Sequence, residues 1–463
     1  MSDAGALRVG LDGFNLAMAR GTGVATYGRT LSHALRDLGC SIDVLYGLDV
    51  PKRAPLELRE SLFFAALGEG RSGGEAPETM TMRRAIRRAF LSPASRTLVE
   101  IPVTGRVDAR AMAERLPAFD RLFSLPSLFY LAARYFRRYG RFMTVRAPDP
   151  PAIMHWTYPL PLRLAGARNL YTLHDLAPLR LPFTSLDDRR YYDRLIRACV
   201  ADADHLLTVS EASRRDIMDL YQAPPERVTN TYQTALPPSA IMALDPDALR
   251  RRLRALFDLE AGGYLLFFGA VEPKKNVGRL IEAYLAADLE TPLVIAGPRA
   301  WKADGELRLL EGAHGVRLSG AERIRRIDYL PRDALMTLVR GARAVLFPAL
   351  GEGFGLPVLE AMALGTPVLA GAAGALPELT GEAALLVDPY DVDAIAAAMT
   401  RLDRDPALRT RLAAAGLRQA ALFDAATYQN RLRAVHRAVL ERPVVRRDPS
   451  ALFRPLAQPG AAL

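Results

Sequence analysis

The sequence predicts an α/β protein built on parallel sheets around two hydrophobic cores. Three observations carry that reading. Short apolar, partly β-branched runs alternate with helical segments along most of the chain, as at 7–15, 41–46, 344–347 and 366–370, which is the pattern of strands buried on both faces of a parallel sheet. The chain has 463 residues of which 50% are hydrophobic, enough to fill two cores. A Pro-rich stretch at 232–246, with Pro237-Pro238, interrupts the alternation near the middle as an interdomain linker does.

Taken in order, residues 7–15 are a first strand, Gly21-Thr22-Gly23 leads into an amphipathic helix that ends near Leu38-Gly39, and 41–46 are a second strand. Together they make a βαβ unit. Gly21 and Gly23 do not complete G-x-G-x-x-G, which argues against a nicotinamide-binding fingerprint. The glycines are either a flexible lead into the helix or a loop that faces a ligand. From 50 to 151 the pattern loosens into Pro, Gly and Arg, with candidate helices at 83–91 and 128–142 and no traceable sheet. The second of these mixes aromatics with arginines, as a helix at an anionic membrane surface or one packed on its own domain would.

Residues 152–156 and 170–173 are apolar strands, and the second runs into His174-Asp175. Ligands of open α/β sheets sit beyond the carboxyl ends of strands, so His174 is either a ligand contact or a structural strand-end histidine. Residues 208–215 follow a further strand into a helix. Ser210 is its N-cap and Glu211 suits its dipole, a mainly structural role.

The second half opens on a strand at 264–269, followed by Glu272-Pro273-Lys274-Lys275-Asn276 and a helix from Val277. A lysine pair between strand end and helix start is either a solvated turn or a seat for a diphosphate. Residues 292–297 are the next strand, and Tyr329 lies just before a helix that leads to 344–347. Residues 375–379 and 385–389 are expected to complete the sheet. Helices follow at 392–402, 407–422 and 425–440.

The most informative stretch is Gly351-Glu352-Gly353-Phe354-Gly355-Leu356-Pro357-Val358-Leu359-Glu360. Pro357 starts a helix and Gly365 ends it. The glycines let the backbone turn and approach a ligand, and the helix start offers unpaired N–H groups to an anion. Glu360 is the only polar side chain from 357 to 364, so it lies in a helix otherwise built for burial and needs donors. Side chains lean toward a helix N-terminus, which brings Glu360 back to the ledge that holds Glu352. Ribose and hexose hydroxyls would supply the donors.

The net charge of +10 is local: residues 82–146 hold 14 Arg and no Lys against Glu100, Asp108, Glu114 and Asp120. No nucleic-acid reading motif accompanies it, so no nucleic acid is expected as a partner. The cysteines Cys40 and Cys199 have no metal-ligand spacing and suggest neither a disulfide framework nor a zinc site. The start lacks a basic-then-apolar signal peptide, and the longest uncharged run, 361–377, carries three glycines and two prolines. A cytoplasmic protein without a membrane span is expected.

Glu352 and Glu360, with seven residues between them within G-E-G-F-G-L-P-x-L-E-A-M-A-x-G-x-P-V, resemble the signature of the family 4 retaining glycosyltransferases. The resemblance implies the GT-B architecture, two Rossmann-like domains facing a central cleft. The domains fall at 1–242, with a basic insertion at about 50–150, and at 243–424. A helix at 425–441 crosses back to the first domain, and a tail at 442–463 is expected to lack order. It also implies that Glu352 and the loop at Phe354, Gly355 and Leu356 hold the donor sugar, Glu360 the nucleotide ribose, and Lys274 and Lys275 the diphosphate. The loop of Gly21 and Gly23 would approach the phosphates from the first domain, and His174 would touch the hexose near its reacting carbon. Glu352, His174 and Lys275 are thus the expected catalytic residues. Where this family usually has Arg-Lys, the chain has Lys274-Lys275, so a forked guanidinium contact is missing.

Asp12-Gly13-Phe14-Asn15-Leu16 with the Gly21 loop, and Leu179-Arg180-Leu181-Pro182 after His174, are similar to bacterial polysaccharide mannosyltransferases. That likeness implies GDP-mannose as donor and a glycan or lipid-linked saccharide as acceptor, at the inner face of the cell membrane. No metal and no cofactor are expected, because no Asp-rich pair stands near these loops. The family shares its architecture with sugar-nucleotide epimerases, which would act without an acceptor, and a non-enzymatic membrane scaffold is the alternative in which Glu352, Glu360 and Lys275 have no joint task.

Overall fold

The computed structural model describes residues 6–18, 23–70, 96–109, 112, 116–186, 188–235, 237–311 and 319–443. Gly21, the candidate helix at 83–91 and the tail from 444 lie outside the described residues.

The first half builds strands β1 (Arg8–Asp12), β2 (Ser41–Tyr46), β3 (Val99–Ile101), β4 (Arg121–Ser124), β5 (Met143–Val145), β6 (Ile153–Trp156), β7 (Leu162–Leu164), β8 (Arg168–Leu173), β9 (His205–Thr208) and β10 (Val228–Asn230). Eight of them form one sheet in the order β10-β9-β8-β6-β1-β2-β4-β3, while β5 and β7 pair separately. Only β3 runs antiparallel in the large sheet. The second half adds β11 (Leu265–Phe268), β12 (Leu293–Ala296), β13 (Ile324–Ile327), β14 (Ala344–Phe347), β15 (Val368–Gly371) and β16 (Ala384–Val387), an all-parallel sheet in the order β13-β12-β11-β14-β15-β16. Strands β6, β9, β11, β12, β14 and β15 are buried at every residue, as parallel strands covered by helices on both faces must be.

The first sheet extends further than the sequence reveals. β3 and β4 carry it through the segment at 50–151, where charged residues hide the apolar signal. Arg121 on β4 donates Nε and Nη2 to the two carboxylate oxygens of buried Asp43 on β2, at 2.9 and 2.6 Å, a forked contact that uses one arginine of the basic segment inside the fold. Others lie on aromatic rings: Arg96 over Tyr135 at 4.7 Å and Arg137 over Tyr191 at 4.4 Å. The helix Leu128–Tyr139 buries Leu128, Phe129, Leu131, Ala132 and Phe136 against the first core, so its apolar face is already covered by its own domain.

Two further expectations change. The strand at 7–15 is confined to Arg8–Asp12, because the chain turns at Gly13, where a side chain would strike the Tyr46 ring at 2.4 Å. Residues 375–379 are no strand: Leu376–Thr380 is a short helix whose first turn takes Pro377 and Glu378.

The helix Ala425–Glu441 returns to the first sheet. Tyr428, Leu432, Val435 and Val439 are buried along it, and Gln429 donates to Asp37 at the end of the helix Gly23–Asp37. Arg442 donates to the Glu226 carbonyl at 2.7 Å. Where the chain crosses outward and returns, Tyr232 and Phe423 pack their rings 5.2 Å apart, and both meet Phe354, at 6.3 and 5.7 Å. The carboxyl ends of β1, β8, β11 and β14 lead to Asp12, His174, Lys274–Lys275 and Glu352.

Candidate active site

Each of these strand ends passes into a loop held by its own sequence. After β11, Pro273–Lys275 is one turn of 3-10 helix closed by Asn276 in the left-handed region at φ 62°. The Asn276 amide donates to the carbonyls of Pro348 and Pro389 at 2.9 and 2.6 Å, tying the lysine turn to the loop after β14. The Leu350 N–H adds a bond to the Lys274 carbonyl at 2.9 Å. Gly297, after β12, has φ 152°, and a Cβ there would fall 1.9 Å from the Gly269 carbonyl, so only glycine lets these two loops touch.

The lysine turn and the glycine-rich loop meet at an ion pair. Lys275 Nζ lies 2.6 Å from Glu352 Oε1 and 5.2 Å from the centre of the Phe347 ring. Lys274 reaches the other lobe, where its Nζ is 3.2 Å from Asp175 Oδ2. Burial opposes the charge of Lys274, but Asp175, Glu352 and Glu272 outweigh it and raise its pKa. Asp175 moves the opposite way: burial works against its charge, yet Lys274 and the Ala177 N–H hold it below the usual carboxylate range.

Gly355 has φ 105° and precedes the helix Leu356–Ala363. The Val358 and Leu359 N–H groups turn back to the Gly355 carbonyl at 2.9 and 3.1 Å, so the amides of Gly355 and Leu356 stand ahead of the helical ladder. Phe354 contributes only backbone to this ledge, since its ring belongs to the crossover cluster with Tyr232 and Phe423. Glu360 is buried where the sequence puts it, but its partner is a protein group: Arg332 Nη1 lies 3.0 Å from Oε1. Burial raises the Glu360 pKa and Arg332 opposes the rise. Arg332 opens the helix Arg332–Gly341 and carries no motif, so nothing in the sequence marks it.

From the first lobe, His174 donates Nε2–H to the Thr157 carbonyl at 2.8 Å and meets the Tyr27 ring edge-on at 4.9 Å. Burial pushes its pKa down, against the opposite pull of that carbonyl. The neutral ring therefore presents Nδ1 as an acceptor. The Thr157 amide is itself bonded to the buried carboxylate of Asp12, which also accepts from the Phe14 N–H. Gly23 opens the helix Gly23–Asp37, and a Cβ there would meet nothing within 4 Å. Its freedom is not demanded by packing.

The two lobes touch closely. A Cβ on Gly353 would lie 2.3 Å from the His174 carbonyl. Glu378 accepts from the N–H groups of Glu211 and Ala212 at 2.8 and 3.0 Å, so a carboxylate of the second lobe caps the helix Glu211–Tyr221 of the first, beside the cap that Ser210 provides to Ser213. Trp301 and Lys302 donate to the carbonyls of Thr184 and Phe183 at 2.8 and 3.0 Å. Between these contacts lies a cavity of ≈ 500 Å³ whose walls include Asp175, Arg180, Ser213, Arg215, Gly351 and Glu352. Thus Glu352 lines this cavity, Lys275 and Lys274 are tied to its walls through Glu352 and Asp175, and His174 reaches it through the carbonyl that Gly353 approaches, while Glu360 lies in the helix that follows the Gly355 turn. Asp175 and Glu378 are the cleft residues that spacing alone did not single out.

Among the described residues no group of three or more His, Cys, Asp or Glu is arranged to hold a metal ion, and no helix is long and apolar enough to cross a membrane.

The family model described as "Glycosyl transferases group 1" matches residues 256–419, and that described as "Glycosyltransferase Family 4" matches residues 21–232. The chain is similar to O-antigen chain mannosyltransferase B of Escherichia coli, 32% identical over 276 residues that cover 57% of this chain and 68% of that protein. It is similar to serotype-specific mannosyltransferase WbdA of Escherichia coli, 26% identical over 375 residues that cover 73% of this chain but 44% of that protein. Among solved structures, Anabaena HepE in complex with UDP-glucose matches 93% of this chain and 100% of its own at a TM-score of 0.63 and 13% identity, a likeness of fold.

Proposed function

We propose, from the premise that the chain belongs to glycosyltransferase family 4 of the group 1 glycosyl transferases, that its cleft takes mannose from GDP-mannose and passes it, with retention of configuration, to a sugar hydroxyl of a bacterial surface polysaccharide or lipid-linked glycan. The chain is a glycosyltransferase of GT-B architecture. One observation carries the reading of its site: the ammonium of Lys275 and the carboxylate of Glu352 lie together beside the helix start at Gly355–Leu356. That grouping suits an activated sugar, with a cation and backbone N–H groups for the diphosphate and a carboxylate for sugar hydroxyls.

In this reading Lys275, Lys274 and the amides of Gly355 and Leu356 bind the leaving diphosphate, taking over work a divalent cation does elsewhere. Glu352 accepts from hexose hydroxyls, and Nδ1 of His174 accepts from the same sugar on the opposite side. Glu360 shares its carboxylate between Arg332 and a ribose hydroxyl. The bond from the anomeric carbon to the phosphate oxygen breaks, the acceptor oxygen bonds to that carbon on the same face, and the acceptor proton goes to the departing phosphate oxygen. Stabilising the charge on that oxygen is the largest task of the site.

The mannose assignment draws on the two mannosyltransferase relatives, and GDP as its carrier on the resemblance of the stretches at 12–16 and 179–182 to bacterial polysaccharide mannosyltransferases, while HepE binds UDP-glucose. Arginines left at the surface of the helix Leu128–Tyr139 suit a peripheral location at anionic lipid. A thermal-shift panel of GDP-, UDP- and ADP-sugars tests class and donor together. GDP-mannose is expected to raise the melting temperature most, and a NMR spectrum of the product is expected to keep the donor's anomeric configuration. A panel in which no nucleotide sugar shifts the melt overturns the proposal.

A further inference from the structure

A third carboxylate stands in the proposed donor site without a task. Glu272 is 5% exposed, at the start of the lysine turn, and among the described residues its carboxylate has no hydrogen-bond or ion-pair partner. The two ammoniums nearest in sequence are turned elsewhere, Lys274 to Asp175 and Lys275 to Glu352. Charged groups act on it from every side: Lys274 and Lys275 of its own turn, Glu352 of the glycine-rich loop and Asp175 of the opposite lobe. Burial raises the pKa of Glu272 most, the two lysines lower it, and Glu352 and Asp175 raise it again. A carboxylate so enclosed and with no protein donor is met by solvent, by a proton or by a ligand that gives one.

Counting the groups that act on one another here, three carboxylates face two ammoniums. A diphosphate entering this pocket adds negative charge where negative charge is already in excess. Glu352 and Asp175 each have a lysine within reach, at 2.6 and 3.2 Å, and Glu272 has none, so Glu272 is the group that gives way.

We propose that Glu272 takes up a proton when a nucleoside diphosphate binds and, as the neutral acid, donates a hydrogen bond to a phosphate oxygen. The inference rests on the donor-site reading above. The proton comes from solvent as the diphosphate enters and returns to solvent as it leaves, and no bond to carbon changes. Glu272 is thereby a diphosphate-binding residue that also makes donor binding depend on pH.

Titration calorimetry of the full chain with GDP at pH 8, well above the ionisation of a terminal phosphate at about 6, tests this in two buffers of different ionisation heat. The expected result is uptake of at least half a proton per GDP, and a dissociation constant that weakens about threefold to tenfold per unit between pH 7 and 8.5. In Glu272→Gln the amide still donates but cannot titrate, so the binding heat becomes independent of buffer, the dissociation constant flat with pH, and affinity at pH 8 at least equal to that of the unaltered chain. GDP binding without proton uptake in the unaltered chain, or equal uptake in Glu272→Gln, overturns the inference. Failure of GDP, UDP and ADP alike to bind instead overturns the donor-site reading.

Discussion

The ammonium of Lys275 lies 2.6 Å from the carboxylate of Glu352, although the two stand on different loops of the second sheet and 77 positions apart in the chain. Each neutralises the other until a ligand arrives, so an activated sugar has to exchange its own phosphate and hydroxyls for this contact. Removing the charge of Glu352 costs the sugar its acceptor. In Glu352→Gln turnover is expected to fall on the order of 10²-fold, as when a site loses one key electrostatic contact. Its melting temperature should stay within a few degrees, because the amide still accepts from Lys275. Initial rates of GDP release beside a thermal melt read both, and an unaltered rate would remove Glu352 from the chemistry.

The second ion pair joins the lobes themselves. Lys274 and Asp175 are 17% and 27% exposed in their side chains, buried enough that solvent screens them only in part. A double-mutant cycle with Lys274→Met and Asp175→Asn should give a coupling of about 1–2 kcal/mol in stability. Coupling indistinguishable from zero would mean that the pair does not hold the cleft closed.

Gly353 supplies a steric version of the same test. In Gly353→Ala the added methyl falls 2.3 Å from the His174 carbonyl and 3.2 Å from Asp175 Cβ. The first obstacle is backbone and cannot rotate away, so the substitution should cost about 1–3 kcal/mol or be relieved by parting of the lobes, seen as a larger radius of gyration in small-angle scattering. Gly23→Ala is the contrast: with nothing within 4 Å at the start of a helix, it should stabilise by about 0.5 kcal/mol. Similar melts for the two would show that cleft packing at Gly353 is looser than these distances state.

If Lys274, Lys275 and the helix start hold the diphosphate, activity needs no divalent cation. Rates measured after exhaustive chelation should remain within about twofold, since the lysines and the helix start supply the contacts that a cation would otherwise make. A rate that collapses with chelator and returns with magnesium would contradict that division of labour.

How legible the site was depends on how locally each part is encoded. The helix start read at Pro357, its end at Gly365 and the Ser210 cap are short-range devices, and the helix observed at Leu356–Ala363 and the Ser210 cap fall within two residues of them. Glu352 stood out because a carboxylate in a glycine-rich loop ahead of a helix has few structural reasons to be there, while Lys274 and Lys275, in a Pro-led turn, read equally as solvated charge until Glu352 and Asp175 are seen beside them. Asp175 and Glu378 act across the lobe boundary, and Arg332 through its proximity to Glu360, so no spacing along the chain announces them. The edge of the first sheet was hidden for another reason: Arg121 on β4 looks like surface charge until the buried Asp43, 78 positions earlier and on the neighbouring strand β2, is known to receive it. The mistaken strand at 375–379 followed from reading Ala-Leu-Pro-Glu-Leu by hydrophobicity alone, when a proline followed by an acid marks the first turn of a helix.

The buried histidines set the response to acid. Burial lowers His155 to about 3, and His205 and His436 to about 4, from an ordinary 6.5. Each folds neutral, so below pH 6.5 the unfolded chain binds protons that the folded chain refuses, and stability falls as pH drops. Asp12 has the opposite sign. Burial lifts it to about 6 from 3.8, so between those values the folded chain holds the extra proton and gains stability as pH falls. From pH 6 toward 4 the large shifts of the three histidines, with His174 lowered beside them, outweigh Asp12 and the lesser rises of Glu272 and Glu360, and the net effect is a loss of stability. Urea unfolding at pH 7.5, 6 and 5 should therefore show a shallow decline at first and a steep one below 6. Replacing His436, whose Nε2 has no partner, with Gln should flatten the acid limb by about one proton. A stability that stays level from pH 7.5 to 5 would mean that these rings are charged in the folded state and that the packing around them admits water.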